Sequence, residues 1–322
     1  MKLIVQIPCL NEEATLAETL AAIPRIIDGV DAVEVLVIDD GSTDHTSEVA
    51  RAHGADHIVR FTRRKGLAAG FMAGLDASLR LGADVIVNTD ADNQYPSHDI
   101  ARLVAPILAG QADMVVGDRT VGEVAHFSWT KRRLQTLGSW VVRKVSGTDV
   151  PDVTSGFRAL TREAALRINI VSEFTYTLES IIQAGKKKLA VTHLPITARE
   201  TRPSRLFAST WEYVKRSGAT ILRIYAMYEP FKVFVLLGSA LILGGLGLGM
   251  RYAYFHWWLG QLTGHVQSAI LGVLLLILGF QTLQWGIMAD LIASNRKLIE
   301  DLLYRVRKME LNRGAERPPA RG

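Results

Sequence analysis

The feature that most constrains the fold is a regular alternation of two patterns along the N-terminal third of the chain. Short runs rich in β-branched residues predict strands near Lys2–Ile7, Val33–Ile38, His57–Val59, Val85–Thr89 and Met114–Gly117. Segments with helical spacing predict helices near Glu12–Ile26, Thr46–His53, Gly66–Leu81 and Ser97–Leu108. Strands that alternate with helices in this way are typical of an α/β protein with a doubly wound, mainly parallel sheet.

Two carboxylates follow the fourth predicted strand. Asp90 and Asp92 are separated by one small residue, and side chains at positions i and i+2 of an extended chain point to the same side. Ligands of such sheets bind at the carboxyl ends of the strands. We therefore expect Asp90 and Asp92, with Gln94, to bind Mg²⁺ or Mn²⁺. An acidic loop that caps the next helix is the alternative.

The first two predicted strands also end in polar residues. Asp39 and Asp40 follow the second strand and precede a Gly-Ser-Thr turn, while Asn11 follows the first strand and is placed to cap the helix Glu12–Ile26. Together the three loops predict a nucleotide site, with carboxylates for base or ribose hydroxyls on one side and a metal for the diphosphate on the other. The alternative for Asp39 and Asp40 is turn formation and capping of the helix near Thr46–His53.

Several motifs occur in an order that resembles a known family. They are P-C-L-N-E-E, V-I-D-D-G-S-T-D, D-A-D-N-Q, G-D-R at Gly117–Arg119 and T-S-G-F-R at Thr154–Arg158. Over roughly residues 3–206 the chain resembles family 2 glycosyltransferases, above all their polyprenyl-phosphate branch, which dolichol-phosphate mannose synthase typifies. The resemblance implies a GT-A fold, a nucleotide-sugar donor that is UDP- or GDP-linked, a divalent metal, and inversion at the anomeric carbon.

The resemblance also assigns roles to single residues. It places the nucleotide sugar at Pro8, Asn11, Glu12, Asp39, Asp40, Asp90 and Ala91, and the metal and diphosphate at Asp90, Asp92 and Gln94. Gly66 joins the donor set because the basic stretch Arg63–Gly66 opens a predicted helix, and helix N-termini favour anions. A solvated basic loop is the alternative there. The chain departs from the family at Arg202–Arg205, where a Gly-x-Ser-Lys element is usual, but the positive charge is kept.

The expected acceptor is a polyprenyl monophosphate, which is largely ionised at neutral pH and needs cations to hold it more than a general base. The candidates are Arg119, Arg133, Arg158, Arg202 and Arg205. Asp90, Asp92 and Arg119 are the expected catalytic residues. Bracing of a loop through Asp152 is the alternative for Arg158. Glu179 aligns with a family glutamate near the acceptor, and helix packing is its alternative.

Two charge-free stretches, Val233–Met250 and Val266–Ala289, each reach the roughly 18 apolar residues that span a bilayer. Lysines and arginines lie before the first stretch and after the second, whereas the loop Tyr252–His265 has none. The positive-inside rule then predicts a membrane protein with both termini in the cytoplasm. Regularly spaced glycines, including the pair Gly245 and Gly249, predict that the helices pack on each other or on copies of themselves. A buried globular hairpin is the alternative.

The expected organisation has four parts. Residues 1–206 form a cytoplasmic catalytic domain, residues 207–230 an interfacial amphipathic helix, residues 231–290 two membrane spans (about 233–253 and 266–289), and residues 291–322 a C-terminal helix with a disordered tail. A second basic amphipathic helix, Thr130–Val145, is expected at anionic headgroups or at the acceptor phosphate. The partners are thus the two substrates and membrane lipids, and a homo-oligomer is an open alternative.

Composition limits other functions. The chain has 322 residues, a net charge of +5 and one cysteine, so an intramolecular disulfide is excluded, and we expect no signal peptide. The basic residues flank membrane segments without a nucleic-acid motif, so nucleic acid is not an expected partner. A processive polysaccharide synthase would need a Q-x-x-R-W motif and more membrane spans than the two predicted here. A sugar nucleotidyltransferase would need a Gly-rich phosphate loop. A non-catalytic scaffold would not need these carboxylates, whose burial without a partner is costly.

Overall fold

A computed structural model describes residues 1–119, 129–171, 176–197, 230–258 and 266–315, with the side chains of 129–137 and 314–315 left aside. The chain divides into two compact units. Unit 1 comprises Met1–Ile221 and Leu303–Gly322, and unit 2 comprises Leu222–Leu302. The predicted interfacial segment before residue 230, together with Arg202 and Arg205, lies outside the described residues.

Unit 1 is built on one mixed sheet of seven strands. The strands are β1 (Lys2–Cys9), β2 (Ala32–Asp39), β3 (His57–Arg60), β4 (Val85–Asn88), β5 (Met114–Asp118), β6 (Arg158–Thr161) and β7 (Val191–Pro195). Their order is β3-β2-β1-β4-β6-β5-β7, and all neighbours are parallel except β6, which is antiparallel to both β4 and β5. The doubly wound, mainly parallel sheet is therefore confirmed, and β6 and β7 are the additions that the sequence pattern did not predict.

Helices connect the strands and cover the sheet. They are α1 (Leu16–Ala22), α2 (Thr46–Ala52), α3 (Leu67–Arg80), α4 (Asp99–Leu108), α5 (Trp129–Ser146), α6 (Arg162–Arg167) and α7 (Thr177–Lys186). The largest difference from expectation is α1, which begins at Leu16 and not at Glu12. Asn11 does not cap it. This residue has a left-handed backbone (φ 55°), and its main-chain N–H donates to Ser42 Oγ at 3.0 Å. The tertiary contact with the next loop replaces the first helical turn.

The apolar core explains why the strands read as nearly continuous hydrophobic runs. Leu3, Ile4 and Val5 of β1 are all fully buried, as are Val35 and Leu36 of β2. A parallel sheet covered by helices on both faces needs apolar side chains on both sides of each central strand. The first polar residues then fall where each strand leaves the core, which places the strand-end loops together at one edge of the sheet.

Unit 2 contains two long apolar helices, α8 (Pro230–Ala253) and most of α9 (Val266–Ala315). A π-helical turn at Tyr254–Trp258 directly follows α8. Both helices are long and apolar enough to cross a membrane, with mean hydropathy of 2.2 and 2.0 over their most apolar windows. Helix α9 runs without interruption from Val266 to Ala315, so the expected C-terminal helix is a continuation of the second apolar helix. Its 50 residues make it about 75 Å long.

Glycines bring α8 and α9 into backbone contact. A Cβ atom on Gly245 would lie 2.8 Å from the carbonyl oxygen of Gly272, and one on Gly279 would lie 2.9 Å from that of Gly238. Packing of the two helices on each other is thus confirmed. The glycines of α8 at the contact are Gly238, Gly245 and, through its main-chain nitrogen, Gly249, which would lie 3.4 Å from a Cβ atom on Gly272. Both glycines of the predicted G-x-x-x-G pair therefore lie at the close approach of the two helices.

The last turns of α9 belong to unit 1, where they contact α6. The Tyr304 hydroxyl donates to Glu163 Oε1 at 2.9 Å, and the Arg167 guanidinium lies 5.1 Å from the Tyr304 ring centroid. Arg307 also donates to the carbonyl oxygen of Ile168 at 3.4 Å. These contacts tie the C-terminal segment to α6 through polar interactions.

Candidate functional site

Three loops leave the sheet at the carboxyl ends of β1, β2 and β4. Register places Cys9 beside Asp39 and Gln6 beside Asn88, so β1 and β2 end together and β4 ends three residues earlier at the same edge. The pKa of the Cys9 thiol is raised well above its ordinary value, first by burial and then by the charges of Glu12, Asp39 and Asp90. Acidic residues from all three loops therefore surround one point, as the sequence predicted.

The Asp90 carboxylate at this edge is strongly perturbed. Burial, followed by the charge of Asp92, raises its pKa to about 7, although Arg119 and Arg158 act in the opposite direction. Within the described part of the chain, no hydrogen bond reaches this carboxylate. Gly156 lies against it, because a Cβ atom there would be 2.9 and 3.1 Å from its Oδ1 and Oδ2 atoms. A carboxylate pair in which one member receives no donor among the described residues is an arrangement that a divalent cation stabilises.

The residues present fit a cation that is shared with a ligand. Among the residues described, no group of three or more His, Cys, Asp or Glu side chains could hold a metal. Asp90 and Asp92 would supply two carboxylates and leave the other positions to phosphate oxygens and water, which is how Mg²⁺ is usually bound. The main-chain N–H of Gln94 donates to Asp92 Oδ1 at 3.2 Å. A metal contact by the Gln94 side chain stays a prediction.

Asp39 and Asp40 have a structural use. Asp39 is fully buried, with Oδ1 accepting from Ser42 N at 2.7 Å and Oδ2 accepting from the Ser47 hydroxyl. Asp40 accepts from the main-chain N–H groups of Lys65 and Gly66, at 2.6 and 2.9 Å. The pair therefore shapes its own turn and attaches the basic loop before α3. Direct contact of Asp39, Asp40 or Gly66 with a nucleotide stays a prediction.

The other expected donor residues also hold loops together. Asn11 Oδ1 accepts from Thr43 N at 2.9 Å, and Glu12 N donates to Thr46 Oγ1 at 2.9 Å. The Ala91 carbonyl accepts from Thr19 Oγ1 at 2.9 Å, which attaches the acidic loop to α1. Pro8 lies within β1, one residue before its end. The structure thus brings all the expected donor residues to one edge of the sheet.

Arg119 directly follows β5 and forms a buried, two-pronged ion pair. Its Nε donates to Asp152 Oδ2 at 2.6 Å, and its Nη2 donates to Asp152 Oδ1 at 3.1 Å and to Thr154 Oγ1 at 2.8 Å. Burial acts to raise the pKa of Asp152, but the charge and hydrogen bonds of Arg119 lower it overall. A contact of Asp152 with Arg158 was the alternative role considered for Arg158, and the structure pairs Asp152 with Arg119.

Arg158 does not fit the expected role at the acceptor. It is fully buried, and its Nη1 donates to the Thr177 carbonyl at 3.1 Å and to Ser180 Oγ at 2.5 Å. Its Nη2 donates to the Ser155 carbonyl. Because its Nη groups are bound to the interior of the protein, we remove Arg158 from the acceptor set. Arg133 lies on α5, which confirms the predicted helix, but its side chain is outside the described residues, as are Arg202 and Arg205.

A buried polar network below Asp90 was missed by sequence reasoning. Gln6 Nε2 donates to Asn88 Oδ1, and Asn88 Nδ2 donates to both the Gly156 carbonyl and the Tyr176 hydroxyl, each at 2.9 Å. The Gly156 N–H donates to the Tyr95 hydroxyl at 3.1 Å. The network fixes the strand end that carries Asp90. The available signal was Asn88, a polar residue at the end of an otherwise apolar strand.

Glu179 has a packing role. It is buried, and both of its carboxylate oxygens accept from Val171 N at 3.2 Å. Gln183 Nε2 also donates to its Oε1 at 3.1 Å. Of the two roles considered for Glu179, these contacts favour helix packing.

The sequence model of glycosyl transferase family 2 matches residues 4–168 of this chain. The chain is 29% identical over 307 residues to glycosyltransferase AglJ of Haloferax volcanii, which covers 92% of this chain and 96% of that protein. It is 31% identical to the polyprenol monophosphomannose synthase of Mycolicibacterium smegmatis, over 61% of this chain and 77% of that protein.

Among solved structures, the chain resembles glucosyl-3-phosphoglycerate synthase from Mycobacterium tuberculosis, in a complex with Mn²⁺, UDP and phosphoglyceric acid. The TM-score is 0.57 at 24% identity, over 70% of this chain and 78% of that one. This likeness confirms the GT-A type of fold.

Proposed function

The chain belongs to glycosyl transferase family 2 and is a hexosyltransferase, and from this premise we propose the reaction that it catalyses. It transfers a sugar, with inversion, from a UDP- or GDP-linked donor to a polyprenyl monophosphate, and it depends on Mg²⁺ or Mn²⁺. The protein is held at the cytoplasmic face of a membrane.

The Asp90–Asp92 pair is the observation that carries this proposal. Asp90 has a pKa raised to about 7 and no hydrogen-bond donor among the described residues, so a cation is the partner that its environment favours. Asp92 and the loop tied by Ala91 to Thr19 hold the pair at the sheet edge. A bound Mg²⁺ or Mn²⁺ supplies Lewis-acid stabilisation of the leaving diphosphate. The glucosyl-3-phosphoglycerate synthase with the same type of fold was solved with Mn²⁺ and UDP, which supports this choice of ligands.

Arg119 is the described residue best placed to hold the acceptor. Its charge acts on Asp90, so it lies within electrostatic range of the proposed cation site. A phosphate monoester is already ionised near neutral pH, and a guanidinium can orient it without quenching its nucleophilicity. Arg133, Arg202 and Arg205 remain in the proposed acceptor set. The name of the polyprenol relative supports a lipid phosphate as the acceptor.

The apolar helices of unit 2 support a membrane location. Both could span a bilayer, and the similarity to AglJ extends over 92% of this chain, the hairpin included. Lys232 stands before the first apolar stretch, and Arg296 and Lys297 follow the second. By the positive-inside rule we place the catalytic unit and both termini in the cytoplasm.

The test uses the full chain purified in detergent with undecaprenyl phosphate, Mn²⁺ and a panel of nucleotide sugars, and the lipid products are weighed. We expect one donor to yield a lipid one sugar heavier. Asp92→Asn should lower turnover by roughly 100-fold or more, because a metal ligand is lost. Asp76→Asn, an exposed carboxylate paired with Arg80, is the matched control and should keep full activity.

Three results would contradict the proposal. Full metal-dependent turnover in Asp92→Asn would remove the carboxylate pair from the mechanism. Failure to bind any nucleotide sugar more tightly with Mn²⁺ than without it would indicate a non-catalytic scaffold. A ladder of product masses would replace single transfer with processive synthesis.

A further inference from the structure

We propose that Asp152 is a positioning residue that holds Arg119 away from the Asp90–Asp92 pair and directs its remaining N–H groups to the anionic acceptor. The inference rests on the proposed function, since it takes the acceptor to be a phosphate. It concerns a residue on the loop between α5 and β6, remote in sequence from both acidic motifs.

The geometry of the ion pair leaves Arg119 one preferred orientation. Two of its nitrogens, Nε and Nη2, are bound side-on to the two oxygens of Asp152, at 2.6 and 3.1 Å. Thr154 completes the arrangement, because its hydroxyl accepts from Arg119 Nη2 and donates to Asp152 Oδ1, both at 2.8 Å. A guanidinium held by two parallel bonds is fixed in plane as well as in position. Arg119 Nη1 makes no hydrogen bond within the described residues, which leaves its two N–H groups for a ligand.

Burial makes this constraint strong. The Asp152 side chain is fully buried and that of Arg119 is 14% exposed. An ion pair in such a place is weakly screened, and removal of one partner leaves the other charge without compensation. Burial alone would lower the pKa of Arg119, but the acidic groups Tyr95, Asp152 and Asp90 raise it overall.

The competing partner of Arg119 is Asp90. The two groups lie near each other, because Thr154, which accepts from Arg119 Nη2 at 2.8 Å, is two residues from Gly156, where a Cβ atom would lie 2.9 Å from Asp90 Oδ1. A guanidinium released from Asp152 would be attracted to Asp90, where it would compete with a divalent cation for the same carboxylate. Asp152 therefore keeps two positive groups apart: the cation on the carboxylate pair and the arginine beside it.

The experiment measures Mn²⁺ binding directly, by the loss of the free-ion EPR signal when UDP and the full-length protein are present. Asp152→Asn should weaken Mn²⁺ binding and raise the KM for undecaprenyl phosphate, each by roughly 10- to 100-fold. In the double variant Asp152→Asn/Arg119→Ala, Mn²⁺ affinity should return to within about twofold of that of Arg119→Ala, since the competitor is gone. Acceptor KM should stay high in the double variant.

Asp149→Asn is the matched control. It makes the same substitution three positions away, at a side chain that is 95% exposed, and should change neither quantity. If Asp152→Asn does not fold, Thr154→Val is the second variant, which removes the hydroxyl that bonds both members of the pair. It should show the same two changes at smaller size.

The proposal is overturned if Mn²⁺ affinity and acceptor KM stay at wild-type values in both Asp152→Asn and Thr154→Val. It is also overturned if the loss of Mn²⁺ affinity persists in the double variant, because Asp152 would then act independently of Arg119. Failure of the proposed function looks different: the wild-type protein would bind Mn²⁺ and UDP but form no lipid product, and the Mn²⁺ comparison would still decide the role of Asp152.

Discussion

Two acidic pairs follow parallel strands at the same edge of the sheet, and the structure uses them differently. Asp39 and Asp40, after β2, accept hydrogen bonds from Ser42, Ser47, Lys65 and Gly66. Asp90, after β4, has no such donor among the residues described, and its neighbour Asp92 accepts one main-chain bond. Hydrogen bonds from the protein stabilise the first pair, whereas the second pair carries negative charge that a bound cation would stabilise.

The difference shows that a carboxylate at a strand end is not by itself a ligand site. A buried carboxylate that receives several N–H or O–H donors is stabilised in its charged form. A half-buried carboxylate beside another one and without donors is destabilised in that form, and the pKa of Asp90 is raised to about 7. The variants below test whether the two pairs separate into binding and structural roles.

Asp90→Asn should give the largest effect. Loss of a metal-binding carboxylate should lower turnover by about 10³-fold, because the cation contributes several kcal/mol to the transition state. The Tm of the metal-free protein should not fall, since asparagine removes a half-buried charge that repels Asp92. Steady-state turnover with saturating Mn²⁺ and a thermal melt measure the two quantities. A large fall in Tm would show that Asp90 stabilises the fold, as we expect of Asp39 and Asp40.

Gly156→Ala tests the close contact beneath Asp90. The new Cβ would lie 2.9 Å from Asp90 Oδ1 and 3.0 Å from the Tyr176 hydroxyl, so the carboxylate must move. A displacement of this size should cost roughly 100-fold in turnover and weaken Mn²⁺ activation. Gly138→Ala is the control, because a Cβ there meets nothing within 4 Å. Equal activity of the two variants would show that the position of Asp90 is not critical.

Asp40→Ala should mainly lower the stability of the protein and affect catalysis less. It removes the acceptor of the Lys65 and Gly66 N–H groups, which should lower the free energy of unfolding by about 2 kcal/mol. The measurement is a thermal melt of the full chain in detergent, with Asp40→Asn, which keeps one acceptor, as the milder comparison. Unchanged stability with lost Mn²⁺ binding would place Asp40 in the cation site and erase the distinction between the pairs.

Cys9 lies between the two pairs and should show the smallest effect. Burial is the main cause of its raised pKa, and the charges of Asp39 and Asp90 come after it. Asp39→Asn and Asp90→Asn should therefore each change its alkylation rate at pH 8 by less than about twofold. Mass spectrometry after iodoacetamide treatment, with a urea-unfolded sample as the reactive reference, gives the rates. Rapid labelling in either variant would mean that the carboxylates, not burial, protect the thiol.

Part of the site could be predicted from local patterns. The acidic residues after β2 and β4 follow apolar runs, so their place at the strand ends was visible in the sequence. The partners of Asp40 were not, because Lys65 and Gly66 belong to another loop and meet it only when both strands are in the sheet. For the same reason the only partner considered for Asp152 was Arg158, which is close in sequence, whereas its partner in the structure is Arg119.

The antiparallel strand β6 shows the same limit for the fold. Its four residues, Arg158–Thr161, have no pattern that distinguishes a strand from the loops around them. Pairing with β4 and β5 places β6 in the centre of the sheet and buries Arg158. The motif that contains Arg158 pointed to a charged contact with substrate, but insertion of the strand turned this arginine toward the interior.

The sequence by itself determined the order of strands and helices, the acidic character of the strand ends and the two long apolar helices. These features depend on periodic burial of apolar side chains, which neighbouring residues encode. Only the tertiary structure decided which carboxylates receive hydrogen bonds, which arginine remains at the site and which glycines bring α8 and α9 together. Those outcomes depend on donors and acceptors from distant parts of the chain, and such partners come within reach only after the sheet and the hairpin have formed.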